Sequence, residues 1–250
     1  MERNPEPLAL TSPFSRTLSD QVAQQLRQAI LGGRLEPGQR IVEHEIAAAM
    51  QMSRGPVRDA LKILENERLV IRYPYRGAFV ALLSLRDAQE IYSLREALET
   101  LALVFGIREA TTQQIDELDE KVNKMAERIQ SEYTQAEATD LDLEFHHTLC
   151  RISGHSRLLA AWEALSSQIR LLIMTHRISR PHDFRENSVA WHRQIVDALR
   201  NRDEAQGRQL LSDHLIASFE SAVKRIKESE ASPPSDNHHP PNGRTNPFTR

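Results

Sequence analysis

Apolar residues recur at three- and four-residue spacing from Ser19. Val22, Leu26, Ala29 and Ile30 share one face, which predicts a first helix ending at Gly32-Gly33. Glu36-Pro37-Gly38 then reads as a turn. A short helix is expected over 43–50 with Ile46, Ala47 and Met50 inward, and Gln51-Met52 connect it tightly to a third helix opened by Ser53. That helix carries Val57, Ala60, Leu61 and Leu64 on its apolar side. After Arg68 the period changes: LVIRY and AFVAL are rich in β-formers, and PYRG between them is a turn, the pattern of a two-stranded hairpin. Three helices and a hairpin in about 70 residues make a winged helix-turn-helix.

From Ser84 onward the pattern is helical throughout. Segments are expected at 85–107, 112–131 (capped by Thr111 or Thr112), 135–152, 156–177 (capped by Ser156), 184–200 and from Asp203 to about 228. Ile91, Leu94, Leu98, Leu101 and Phe105 are the predicted buried seam of the first of these, and a loop at Arg180-Pro181 separates the fourth from the fifth. Six helices with short connections predict an antiparallel bundle. The fold class is therefore mainly α: a winged helix-turn-helix with a β-hairpin wing, followed by a six-helix bundle. The expected organisation is a loose arm (1–14), a winged helix-turn-helix domain (15–82), an all-helical domain (84–228) and a disordered tail (229–250).

Composition narrows the class. Apolar residues at 40%, charged residues at 27% and few aromatics or glycines suit a soluble helical protein better than a barrel. No apolar run reaches the roughly 18–20 residues that span a bilayer, and MERNPEPLALTSPF lacks the basic start and apolar core of a signal peptide. A lone Cys150 fits a reducing cytoplasm and reads as a small core residue. The formal net charge is −3, but residues 1–82 carry 11 basic and 9 acidic side chains (+2), against 21 and 26 in the remainder (−5). A basic front on an acidic rear suits a nucleic-acid module joined to a domain with another task.

Two constellations carry candidate chemistry. At 100° per residue, Arg58 and Lys62 lie about 40° and 80° from Arg54, beside the apolar stripe without overlapping it. Ser53 can cap this helix, and Pro56 occupies the first turn, where no amide proton is needed. Its amino end can approach a phosphate while its arginines reach base edges in the major groove, and Arg76-Gly77 at the hairpin tip can touch the neighbouring minor groove. In the rear half, Asp142 and His146 are four residues apart on one helical face, and His192 and His214 each sit among inward apolar residues. A carboxylate and three imidazoles suit a divalent ion such as Zn²⁺, Ni²⁺ or Mn²⁺, and a shared ion removes the cost of burying three unpartnered imidazoles. His147 turns about 100° away from this set. The rival class, a metal-dependent bundle enzyme, finds only a single Glu144-x-x-His147, where di-iron bundles need two such pairs.

The segments GRLEPG, SRGPVRDAL, ERLV and PYRGAFV occur in order, and residues 18–80 resemble the DNA-binding domain of the GntR family of bacterial transcription regulators. YSLREALE resembles the first helix of the all-helical ligand domain (FCD) of its FadR-type subgroup, and DLEFH, SVAWHRQI and LLSDHL resemble that domain's metal-binding segments. The resemblance implies a cytoplasmic homodimer, most often a repressor, on a palindromic operator in double-stranded DNA. The expected DNA-facing residues are Arg40, His44, Ser53, Arg54, Gly55, Arg58, Arg76 and Gly77, with His44 standing where many relatives have arginine. It further implies a divalent ion, Zn²⁺ first, on Asp142, His146, His192 and His214, and a small carboxylate effector. Arg95 is the leading partner for that carboxylate because a guanidinium matches it in a bidentate fork, with an ion pair to Glu99 as the competing role; Arg170 is a second candidate. Direct sensing of the ion would use the same four ligands.

Overall fold

A computed structural model describes residues 17–177 and 182–231. The expected arm, the Arg180-Pro181 loop and the tail beyond 231 lie outside the described residues. The front domain runs α1 (Leu18–Leu31), β1 (Arg40–Ile41), α2 (Glu43–Ala49), α3 (Arg54–Asn66), β2 (Val70–Tyr73) and β3 (Gly77–Val80). Thr17 and Asp20 form a capping box at the start of α1, which buries Val22, Ala23, Leu26 and Ile30. Ser53 is the N-cap of α3 in extended backbone, but its hydroxyl makes no cap hydrogen bond. The wing is larger than the predicted hairpin. β1 pairs antiparallel with β3, Arg40 opposite Phe79, giving a three-stranded sheet in the order β1-β3-β2. Two residues are too few to display an alternating period, so this strand left no sequence signal.

The rear domain comprises α4 (Leu85–Glu109), α5 (Thr112–Arg128), α6 (Gln135–Ile152), α7 (Ser156–Arg177), α8 (His182–Arg200) and α9 (Glu204–Ala231). Capping boxes at Ser84/Asp87, Thr111/Gln114 and Thr134/Glu137 start α4, α5 and α6. At α7 the capping acceptor is His155 Nδ1, which takes the Leu158 amide proton at 3.2 Å, rather than Ser156. Among the described residues no helix is long and apolar enough to cross a membrane.

The predicted seam of α4 is corrected. Ile91 is buried, but Leu94 and Leu101 are 50% and 42% exposed, while Arg95 and Glu99 are 1% and 0% exposed. Apolar residues populate both faces of this helix, and their spacing alone does not say which face packs. α6, α7 and α9 all pack against it, and they enclose a charged pair.

Two apolar clusters result. One runs from α1 and α3 through the sheet into Ile91, Tyr92, Trp162 and Ile169, crossing from the front domain into the rear. The other joins Leu118, Met125, Phe145, Leu149, Ile195 and Leu211. At the crossing, Arg170 Nε donates to the Leu31 carbonyl at 3.1 Å, and the same guanidinium pairs with Asp140.

Candidate metal centre and DNA-facing surface

α6 brings Asp142 and His146 to one face, α8 adds His192 and α9 adds His214, each offering one donor atom within 4.8 Å of the others. His146 Nε2 lies 3.2 Å from His214 Nε2 and 3.3 Å from His192 Nε2, and Asp142 Oδ1 is 3.6 Å from His192 Nε2. On the far side of the rings, a backbone carbonyl fixes the tautomer of His192 and a carboxylate stands against His146. His192 Nδ1 donates to the Ser188 carbonyl at 2.6 Å, and His146 Nδ1 faces Glu99 Oε2 at 2.7 Å. With a proton on each Nδ1, the two rings would turn Nε2 lone pairs toward each other, which is repulsive unless a cation lies between them. Nitrogens bound at about 2.0–2.1 Å to one ion stand about 3.0–3.4 Å apart, so the donor set fits a divalent metal.

Electrostatics favour the ligand form of the rings. Burial lowers the pKa of His192 to about 4 despite the nearby Asp142 carboxylate. Burial, and then its two histidine neighbours, place His214 well below the usual imidazole range. Neutral imidazole is the form that binds metal.

Behind the cluster sits an ion pair. Glu99 Oε1 accepts from Arg95 Nε and from Trp162 Nε1, each at 2.8 Å. Burial alone would push the Glu99 carboxyl up, but Arg95, His146 and Trp162 together hold it at about 2. Arg95 thus meets the partner that competed for it in sequence, yet its Nη1 and Nη2 are buried without a hydrogen-bond partner. Such a buried ion costs several kcal/mol, about, unless its donors are satisfied. Its charge is felt at Asp142, His192 and His214, which places it beside the cluster.

Arg170 is not brought into this set; Leu31 and Asp140 engage it at the domain junction. His147 turns outward to Glu163 at 3.0 Å, and His155 packs edge-on against Phe105. Cys150 is buried, and burial raises its thiol pKa.

On the front domain, Arg40, His44, Ser53, Arg54, Gly55, Arg58, Arg76 and Gly77 are all exposed. Arg54 is the first residue of α3. Arg58 Nη2 lies 3.3 Å from Glu43 Oε2, a solvent-facing pair of little strength. Arg40 lies over the wing: its Nε and Nη2 are each 3.8 Å from where a Cβ on Gly77 would stand. Lys62 pairs instead with Asp59 at 2.9 Å.

Trp162 and Ser188, which stand behind Glu99 and His192, leave no signal in the sequence, where Glu99 reads only as a competitor for Arg95. A serine or tryptophan inside a helix carries no chemical signature. The Arg76 amide donates to the Tyr73 carbonyl at 3.1 Å, and Tyr75 takes φ 64° with its ring fully exposed.

Residues 18–80 match the model for bacterial regulatory proteins of the gntR family, and residues 90–217 match the FCD domain. The gluconate operon transcriptional repressor of Bacillus licheniformis is 30% identical over 213 residues, covering 83% of this chain and 84% of that protein. The transcriptional repressor RspR of Escherichia coli (strain K12) is 26% identical over 225 residues, covering 87% and 93%. The solved structure of a GntR transcriptional regulator from Rhodococcus sp. RHA1 superposes with a TM-score of 0.70 at 26% identity, over 82% of this chain and 97% of that one. These relatives are regulators rather than enzymes. A winged helix-turn-helix joined to an FCD domain, with relatives of this kind along most of its length, means that the chain belongs to the GntR family of DNA-binding transcription regulators.

Proposed function

We propose that this regulator is a homodimeric repressor of the FadR type whose grip on a palindromic operator is set by a small carboxylate metabolite held at a divalent ion. The observation that carries the reading is the convergence of three imidazole Nε2 atoms and Asp142, with two unsatisfied Arg95 nitrogens beside them. Asp142, His146, His192 and His214 would hold the ion. Zn²⁺ suits a set of three nitrogens and one oxygen, with Ni²⁺ and Mn²⁺ as rivals. A bound ion supplies a Lewis-acidic position for an oxygen of the effector. Arg95 offers Nη1 and Nη2 to the carboxylate, which satisfies donors that are otherwise orphaned in a buried site. The name of the gluconate operon repressor agrees in class, since gluconate is a carboxylate. Arg170, already engaged at the domain junction, is assigned to coupling the domains rather than to the effector.

On the DNA side, Arg54 and Arg58 enter the major groove from the amino end of α3, with Ser53 and Gly55 letting its backbone amides approach a phosphate. His44 and Arg40 flank them, and Arg76-Gly77 reach the adjacent minor groove. Glu43 is a weak competitor that a phosphate can displace from Arg58. A palindrome calls for two copies, and the outward apolar stripe of α4, with Leu94 and Leu101 exposed, supplies a surface for the second. The effector controls binding only by favouring one dimer arrangement over another.

Two experiments test this reading. Duplexes selected from a random pool by the wild-type chain should lose specific binding to the Arg54→Ala/Arg58→Ala variant in an anisotropy assay; unchanged binding sinks the α3 assignment. Elemental analysis should find about one divalent ion per chain, absent from His192→Ala and His214→Ala. Titrating the DNA complex with small organic acids, with and without chelator, then separates the modes, since release by metal ion alone means direct ion sensing.

A further inference from the structure

Every histidine of the cluster needs something behind it to fix which ring nitrogen faces the centre, and the two visible devices differ. His192 leans on a neutral backbone carbonyl, that of Ser188. His146 leans on a carboxylate that three helices have assembled around it. Glu99 comes from α4 and is completely buried; one of its oxygens is consumed by Arg95 Nε from the same helix and by Trp162 Nε1 from α7. Those two bonds leave Oε2 2.7 Å from His146 Nδ1 on α6, close enough for an ion pair though not aligned as a hydrogen bond, and both atoms are buried without another partner.

We infer that Glu99 is a positioning residue for the ion centre: it holds the Nδ1 proton of His146 so that Nε2 presents its lone pair to the ion. The inference rests on the ion reading above and adds to it the residue through which α4 shapes the site. A plain Arg95–Glu99 salt bridge does not account for the arrangement. An ion pair of that kind gains little by burial, and the pair would need neither the indole bond nor an oxygen turned to an imidazole. A charged acceptor behind an imidazole also strengthens its other nitrogen as a donor, so His146 is the stronger of the two supported ligands. Arg95 has a double part: Nε fixes the Glu99 carboxylate, while Nη1 and Nη2 remain free for the effector.

The test compares two variants of the full-length chain in one charge-balanced background, Arg95→Met/Glu99→Gln and Arg95→Met/Glu99→Leu. Each removes both members of the buried pair, a change that leaves folding near neutral, whereas removing one member strands a buried charge. The variants differ only in whether position 99 can still accept a proton from His146. Co²⁺ is titrated into metal-stripped protein and read by its visible d–d absorption. The leucine variant should bind Co²⁺ about 10–100-fold more weakly than wild type, and the glutamine variant should recover a large part of that loss. Equal affinity in the two variants overturns the inference, because a purely structural pair would be lost alike in both. Nitrogen-15 NMR of the metal-stripped wild type gives an independent reading: the proton of His146 is expected on Nδ1, and an Nε2–H tautomer refutes the assignment. A wild type that takes up no Co²⁺ overturns the ion reading itself, and this inference falls with it.

Discussion

Tyr75 shows what a single residue can tolerate at the tip of the wing. The Tyr73–Arg76 turn has proline at its second position and calls for positive φ at its third, where glycine or asparagine is favoured. A tyrosine at φ 64° carries strain there, and its fully exposed ring makes no packing contact that offsets it. Tyr75→Gly should therefore stabilise the chain by about 0.5–1 kcal/mol, a shift of about 1–4 °C in a calorimetric melt. A lower melting temperature would mean that the ring is held by something the turn does not reveal. At this scale much of the candidate site can be read from the sequence. Asp142 and His146 announce themselves by their spacing, and Arg54 and Arg58 by their place at the start of an amphipathic helix. Glu99 was legible only as a partner for Arg95. A glutamate four residues after an arginine reads as a solvated pair in any helix, and only the packing of α6 and α7 over it reveals an interior role.

Among the elements, α4 departs most from its pattern. Sequence periodicity weighs hydrophobicity, yet Leu94 and Leu101 of the expected seam lie exposed, while Leu98 and Phe105 are only half-buried. The inward stripe is mixed, with Arg95 and Glu99 set among Ile91, Ala102 and Leu103. By contrast the helix boundaries were legible, because four of them are written as capping pairs: Thr17/Asp20, Ser84/Asp87, Thr111/Gln114 and Thr134/Glu137. If the outer stripe of α4 seats a second copy, Leu94→Glu/Leu101→Glu should give a monomer by sedimentation while keeping its helical circular dichroism. Both leucines are half-exposed in the single chain, so the substitutions cost its fold little. A dimer that survives both changes moves the interface elsewhere.

Across the whole molecule, the two domains read from the sequence share one apolar cluster and a charged fastening. Arg170 on α7 donates to the last carbonyl of α1 and pairs with Asp140, two residues before the candidate ligand Asp142. Arg170→Ala should lower stability by about 1.5–3 kcal/mol, the range for a hydrogen bond to a charged group, and speed proteolytic cleavage between α1 and β1. Unchanged cleavage would mean that the apolar cluster alone fixes the junction. Charge balance differs between the front and rear of the chain, but it says nothing about what lies beneath the junction, where Leu83, Ala88 and Ile173 share one apolar cluster with Val22 and Ile30. The carboxyl end of the first helix is thus completed by a side chain some 140 residues further along. A front domain cut at residue 82 and fused to another ligand domain would arrive with that carbonyl uncapped and an oily flank bare. Swapping this DNA reader between regulators therefore means carrying a matching patch of α7 with it, and the pair is best regarded as a single inheritable part.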